Sequence, residues 1–226
     1  MLAEEPVTLT TPDGIILEAM VSAPGTTTSG VVICHPHPLY GGDMDNPVVV
    51  RAAEVAAVAG LATLRFNFRG VGRSTGTHGG GRAEQHDVAA ALDHLATRLG
   101  DRSHVALAGY SFGAIMAADA AAARELAGLA LIAPPLPFSQ SRPLPRLGNA
   151  RLPVLVVVGS NDEYCPLPAL DRLRSELPNA EVRVIDGANH FFFGKLYPLG
   201  EALASWARQM SAGSEPGQSS RGRGAG

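Results

Sequence analysis

Short, almost wholly apolar runs alternate along this chain with longer runs in which apolar positions recur every three or four residues. The apolar runs are "GIILEAMVSA" (14–23), "GVVICHP" (30–36), "LATLRFNFRG" (61–70), "HVALAGYS" (104–111), "LAGLALIAPP" (126–135), "LPVLVVVGS" (152–160) and "AEVRVIDGA" (180–188). Their length and β-branched content predict buried strands. Between them, "NPVVVRAAEVAAVAG" (46–60) opens with Asn-Pro and closes on Gly60, a helix start and stop. "GRAEQHDVAAALDHLATRLG" (81–100) carries Val88, Leu92, Leu95 and Leu99 at helical spacing. "GAIMAADAAAARE" (113–125), "LPALDRLRSELP" (167–178) and "LGEALASWARQM" (199–210) complete the helices. Repeated strand–helix alternation predicts a mainly parallel, doubly wound sheet with helices on both faces. The opening strands have no helix between them, so an antiparallel edge is expected there.

Composition narrows the class. The 226 residues suffice for one sizeable core, and 46% hydrophobic content suits a globular protein. A net charge of −3 with no long basic run argues against nucleic acid as a partner. The acidic start "MLAEEPVTLTTPDG" does not read as a signal peptide, and the longest apolar run is broken by prolines, so a cytoplasmic protein with no membrane partner is expected. Cys34 and Cys165 form no metal-ligand pattern and are expected to be free thiols. The tail "SAGSEPGQSSRGRGAG" is almost devoid of apolar residues. We therefore expect one domain over 1–210 and a disordered tail over 211–226.

The chemistry centres on "LAGYSFGAIM" (107–116), in which Ser111 stands between Gly109 and Gly113. Composition alone yields about 0.2 chance matches to G-x-S-x-G, so context decides. An apolar strand precedes the motif and an Ala-rich run follows it, the strand–turn–helix setting of a nucleophile elbow. A serine hydroxyl needs a base, and "GANHFFFGK" supplies His190 just beyond a strand. The base needs an acid to orient it, and "VVVGSNDEYCP" ends a strand with Asp162; Glu163 and Asp186 are the alternatives, though Gly187 makes Asp186 a turn residue. His86 and His94 are expected to be solvated on their helix, and His104 lies at the wrong end of its strand.

Two other motifs compete for attention. "HPHPLYGG" places His35 and His37 two apart with Asp43 and Asp45 downstream, but no third ligand stands at a recognised metal spacing. "RGVGRSTG" has Gly70, Gly72 and Gly76 after a strand, yet "THGGGR" follows instead of the immediate helix that a dinucleotide requires. It is better read as a loop closing over the pocket. Arg69 and Arg73 either pair with local acids or face substrate.

The pieces "CHPHPLYGGDMDNPVV", "TLRFNFRGVGRSTG", "GYSFGA", "GSNDEYCP" and "GANHFF" together resemble the α/β-hydrolase superfamily, most nearly its small dienelactone-hydrolase-like serine hydrolases. The likeness runs from about residue 31 to 195. The elbow carries Ser111 where dienelactone hydrolases proper carry cysteine, which weakens the transfer of their lactone substrate. The resemblance implies a Ser111–His190–Asp162 triad and an oxyanion hole built from the Phe112 N–H and a second donor after the third strand. Pro36 and Pro38 have no N–H. By likeness His37 is the preferred donor and Leu39 the second choice, while Tyr40 lines the pocket or offers its hydroxyl. Between the sixth and seventh strands only "LPFSQSRPLPRLGNAR" is available, so a minimal cap is expected, with Leu136 and Phe138 as wall residues. The expected activity is hydrolysis of a small-molecule ester without metal or other cofactor, by a monomer or homodimer. A thioesterase, lactone hydrolase or peptidase on the same triad, a cofactor-free perhydrolase and a non-catalytic binding protein are the alternatives.

Overall fold

The computed structural model describes residues 3–25, 27–100, 104–136, 147 and 152–212. The strands are β1 (Glu5–Thr10), β2 (Ile16–Ser22), β3 (Gly30–Cys34), β4 (Ala62–Phe66), β5 (Val105–Tyr110), β6 (Leu129–Ile132), β7 (Val154–Gly159) and β8 (Glu181–Ile185). They form one sheet in the order β1-β2-β4-β3-β5-β6-β7-β8. β1 and β2 pair antiparallel, as do β2 and β4, and every later pairing is parallel. The antiparallel edge expected from the helix-free opening is therefore present. It includes β1, whose alternating exposure and Pro6 suit an edge strand.

The helices are α1 (Pro47–Val58), α2 (Glu84–Leu99), α3 (Phe112–Ala123), α4 (Leu167–Glu176) and α5 (Leu196–Ala212). Asn46 caps α1, its side chain accepting from the Val48 N–H at 3.0 Å, with Pro47 in the first turn. Gly100 closes α2 in the left-handed conformation, φ 79°. α5 starts three residues before the pattern suggests. Pro198 looks like a breaker, but in the first turn of a helix its missing N–H costs nothing. α5 also continues through Ser211 and Ala212; the rest of the expected tail, 213–226, lies outside the described residues.

The period of two along each strand splits the interior into two cores. Val31 and Ile33 face one side, with Val48 and Val49 of α1 and Leu199, Leu203 and Trp206 of α5. Val32 and Cys34 face the other, with Val88 and Leu92 of α2, Ala114 and Ala117 of α3 and Leu170 of α4. Parallel strands buried on both faces explain the near-continuous apolar runs. All parallel strands end at the same edge, so the loops after β3, β5, β7 and β8 converge there.

Candidate active site

Ser111 follows β5 and immediately precedes α3, at φ 54° and ψ −116°. A non-glycine residue in this region stores on the order of 1–3 kcal/mol of strain, tolerated only where neighbours over-determine it. They do here. The Ser111 N–H donates to the Ile132 carbonyl at 2.9 Å, extending the β5–β6 ladder to the turn itself. The flanking glycines are required by close approach. A Cβ on Gly109 would stand 2.1 Å from the Gly113 oxygen, and one on Gly113 would stand 2.3 Å from the Cys34 oxygen.

The structure brings the three predicted polar residues into one chain of hydrogen bonds. Ser111 Oγ donates to His190 Nε2 at 3.0 Å. His190 Nδ1 donates to Asp162, lying 3.0 Å from each carboxylate oxygen. Asp162 Oδ1 also accepts the backbone N–H groups of Tyr164 (2.9 Å) and Cys165 (3.1 Å). Both Asp162 and His190 are buried. The alternatives Glu163 and Asp186 are exposed. The loops that carry Asp162 and His190 touch directly. Asn161 donates from its N–H to the Ala188 carbonyl at 2.9 Å, and a Cβ on Gly159 would meet that same oxygen at 2.2 Å. Tyr110, one residue before Ser111, donates its hydroxyl to the His190 carbonyl at 3.0 Å. Burial pushes the Tyr110 phenol well above its usual range, so it remains a donor.

The loop after β3 is folded around two histidines. His35 is fully buried. Its Nε2 accepts the Phe68 N–H at 3.0 Å, so Nδ1 carries the proton and donates to the Pro36 carbonyl at 2.6 Å. Both ring nitrogens are thus engaged, and Asp45 pairs with Arg65, which removes two members of the would-be metal set. Burial pushes the His35 imidazole down to about 4. His37 Nδ1 accepts the Leu39 N–H at 3.2 Å, which takes the second-choice oxyanion donor out of play. The N–H groups of His37 and Phe112 donate to no acceptor among the described residues. The His37 ring lies 4.9 Å from Phe112 and 4.7 Å from Tyr40. Tyr40 and Leu39 stand out into solvent at 86% and 69% exposure, forming rim rather than wall. Phe138 lies outside the described residues, as does most of the expected minimal cap; Leu136 is half-buried and packs on the core.

Several residues of the site escaped sequence reasoning. His78 lies 5.0 Å from His37 and 5.6 Å from Phe112, centroid to centroid. Its Nδ1 is 2.8 Å from Glu84, a fully buried carboxylate that also accepts the Gly79 and Gly81 N–H groups at 2.6 and 2.8 Å. The "THGGG" loop is therefore folded onto the α2 N-terminus and packs beside the elbow. Burial, with His78 next to it, pushes His37 down. Tyr164 packs on the His190 ring at 4.6 Å. Only proximity to the quoted motifs pointed to Tyr110 and Tyr164; nothing local marked His78.

Of the residues left open, Arg69 pairs with buried Asp87 at 2.7 Å and Asp13 at 2.8 Å, holding the loop after β4, while Arg73 is exposed. Burial pushes the Asp87 carboxyl up, and Arg69 pulls it back. His86 is exposed as expected, beside Asp13. His94 departs from expectation: it is half-buried against β1, with Nε2 shielded and unpartnered among the described residues, because α2 turns that face toward the sheet edge. It lines a groove of about 490 Å³ between β1 and α2 to which neither Ser111 nor His190 contributes. Cys34 and Cys165 are buried and unbridged, and burial pushes the Cys165 thiol up to about 12. Neither is a competing nucleophile at neutral pH. Among the described residues no helix is long and apolar enough to cross a membrane.

Known proteins share this fold. An α/β serine hydrolase homologue from Coxiella burnetii is 36% identical, with a TM-score of 0.81 over 91% of this chain and 98% of that one. A member of the α/β serine hydrolases without lid, from Xanthomonas campestris, is 30% identical with a TM-score of 0.82, covering 96% and 100% of the two chains. A protein of Rickettsia prowazekii is 31% identical over 199 residues, 85% of this chain and 84% of its own. The alpha/beta hydrolase domain family matches residues 30–210, which takes in Ser111, the loops of Asp162 and His190 and the loop after β3, and the chain belongs to that family.

Proposed function

We propose that the protein is a serine hydrolase that cleaves small carboxylic esters through Ser111, His190 and Asp162. One observation carries this reading: the continuous hydrogen-bonded chain from Ser111 Oγ through His190 to Asp162, with Ser111 on a strained turn at a helix N-terminus. His190 takes the Ser111 proton as Oγ attacks the ester carbonyl. The tetrahedral oxyanion is held by the unengaged N–H groups of Phe112 and His37. His190 then protonates the departing alcohol oxygen, leaving an acyl-enzyme. Water activated by the same imidazole releases the acid. Asp162 holds the imidazole in the required tautomer, its own position fixed by the Tyr164 and Cys165 N–H groups. No step calls on a metal or organic cofactor.

Small esters are favoured because, among the described residues, the rim of the site offers little wall to cover a long acyl chain. Tyr40 and Leu39 on one side and Phe193 on the other stand in solvent, and the 30%-identical Xanthomonas relative is described as having no lid. The test is Ser111→Ala. Fluorophosphonate should label the wild-type protein at Ser111 and leave the variant unlabelled. Hydrolysis of p-nitrophenyl acetate should fall by about a million-fold, the loss typical of a triad nucleophile. Circular dichroism should be unchanged. A variant retaining more than a tenth of wild-type activity refutes the assignment.

A further inference from the structure

The segment after His190 spends apolar surface in an unusual way. In "HFFF", Phe192 is fully buried, whereas Phe191 and Phe193 are 49% and 74% exposed. The two exposed rings stack on each other, centroids 5.4 Å apart and planes 21° from parallel. Phe191 in turn stands edge-to-face with His190 at 5.5 Å and 87°. The loop is held to present them. The Asn189 side-chain oxygen accepts the Phe191 and Phe193 N–H groups at 3.2 and 3.3 Å, and Phe192 sits at φ 53°, a costly conformation for a bulky residue. Exposed aromatic surface fixed beside a reactive group marks a binding surface.

Mechanism decides which part of a substrate would meet it. When the tetrahedral intermediate collapses, the bond from the acyl carbon to the alcohol oxygen breaks, and the proton on His190 Nε2 passes to that oxygen. The alcohol oxygen must therefore lie within hydrogen-bond reach of Nε2, while the oxyanion points to the Phe112 and His37 N–H groups. The alcohol portion therefore leaves across the His190 side of the site, toward Phe191, and the acyl portion takes a direction away from Nε2. From this geometry, and resting on the ester-hydrolase reading above, we infer that Phe191 and Phe193 form an aryl-binding subsite for the alcohol portion of the substrate. The stacked pair offers flat faces and edges suited to a further ring in offset or edge-to-face contact.

The test compares alcohols of equal size and nearly equal leaving ability. For wild-type protein, kcat/KM for 2-phenylethyl acetate should exceed that for 2-cyclohexylethyl acetate by about threefold to tenfold, the range expected for one aromatic contact pair. In Phe191→Leu/Phe193→Leu, which keeps apolar bulk and loses the rings, the ratio should fall to about one. A second pair, methyl 3-phenylpropanoate and methyl 3-cyclohexylpropanoate, places the ring on the acyl side, and its ratio should be the same in both proteins. The inference is overturned by a wild-type ratio near one, by a ratio that survives the double substitution, or by a change confined to the acyl pair. It is overturned too if the rings prove to serve self-association, shown by a dimer that the double substitution dissociates while the aryl ratio stays unchanged. Failure to hydrolyse any of the four esters would instead remove the esterase reading and the subsite with it.

Discussion

His35 should make the protein lose stability on mild acidification, by an amount the structure specifies. The imidazole is fully buried and pushed from 6.5 to about 4 by that burial. Protonation would place a hydrogen on Nε2, against the Phe68 N–H that now donates to it. Above pH 6.5 the ring is neutral in folded and unfolded chains alike, and its full contribution is present. As pH falls from there to about 4, the unfolded chain takes a proton that the folded site refuses, so stability declines. Below about 4 both states are protonated and the decline from this residue ends. Each pKa unit is worth about 1.4 kcal/mol, so the span corresponds to about 3 kcal/mol, a large part of the roughly 5–15 kcal/mol that holds a typical domain together. The assay is urea unfolding of wild-type protein and His35→Gln at several values from about pH 7.5 to about pH 4. Glutamine can still accept the Phe68 N–H but does not titrate. The variant should start less stable, and the gap should close by about 3 kcal/mol as pH falls, since all other titrating groups are shared. A gap that stays constant across this range refutes the reasoning. The loop concerned ends β3 and carries His37, so the same protonation should loosen the proposed oxyanion hole.

Three further outcomes are expected. Asp162→Asn should lower kcat by about 10⁴-fold, as in comparable triads, with little change in KM; steady-state kinetics checks this, and a loss below tenfold would show that Asp162 does not orient His190. Gly113→Ala should leave little soluble folded protein, because the new Cβ would lie 2.3 Å from a backbone oxygen of β3; thermal unfolding within a few degrees of wild type would contradict the packing. Across p-nitrophenyl esters kcat/KM should peak between acetyl and butyryl, because each further methylene gains about 0.8 kcal/mol only where wall covers it, and Leu39 and Tyr40 on the described rim stand in solvent; a maximum at about twelve carbons or longer would overturn this.

What the chain discloses before folding depends on how local the cause is. Buried parallel strands must be apolar throughout, so runs such as "LPVLVVVGS" are visible at once. The elbow is visible because Gly109 and Gly113 answer steric demands within a few residues of Ser111. His190 and Asp162 follow because each stands just past the end of such a run. Strand β1 is less evident, since an edge strand exposes alternate residues and Pro6 dilutes the pattern. The pairing of Arg69 with Asp87 and Asp13 and the contact of His78 with Glu84 involve neighbours fixed by the loop after β4 and by the docking of α2 on the sheet. No spacing rule encodes them. His94 differs from the sequence expectation for the same reason: the register of α2 against β1, not the helix's own polarity pattern, decides which of its histidines meets water.

The three residues of the proposed triad come from three loops, yet the constraints that align them are mostly main-chain. Ser111 is tied through its N–H to β6, and Gly113 lies against the β3 carbonyls. Asp162 is aimed by two N–H groups of its own turn. The loop of His190 is held by the Asn161 N–H on the Ala188 carbonyl, by the contact at Gly159 and by the Tyr110 hydroxyl on the His190 carbonyl. Among these ties only the Asp162 carboxylate and the Tyr110 hydroxyl are side-chain groups, and the hydroxyl joins the strand before Ser111 to the loop of His190. The polar side chains of the site can therefore be replaced one at a time without dismantling the scaffold that places them. Glycine substitutions should behave in the opposite way, removing activity by removing the fold. That contrast separates chemistry from architecture at this site, and it places Tyr110 on the boundary: its hydroxyl touches no reacting atom, but it holds the imidazole's backbone against the strand from which Ser111 springs.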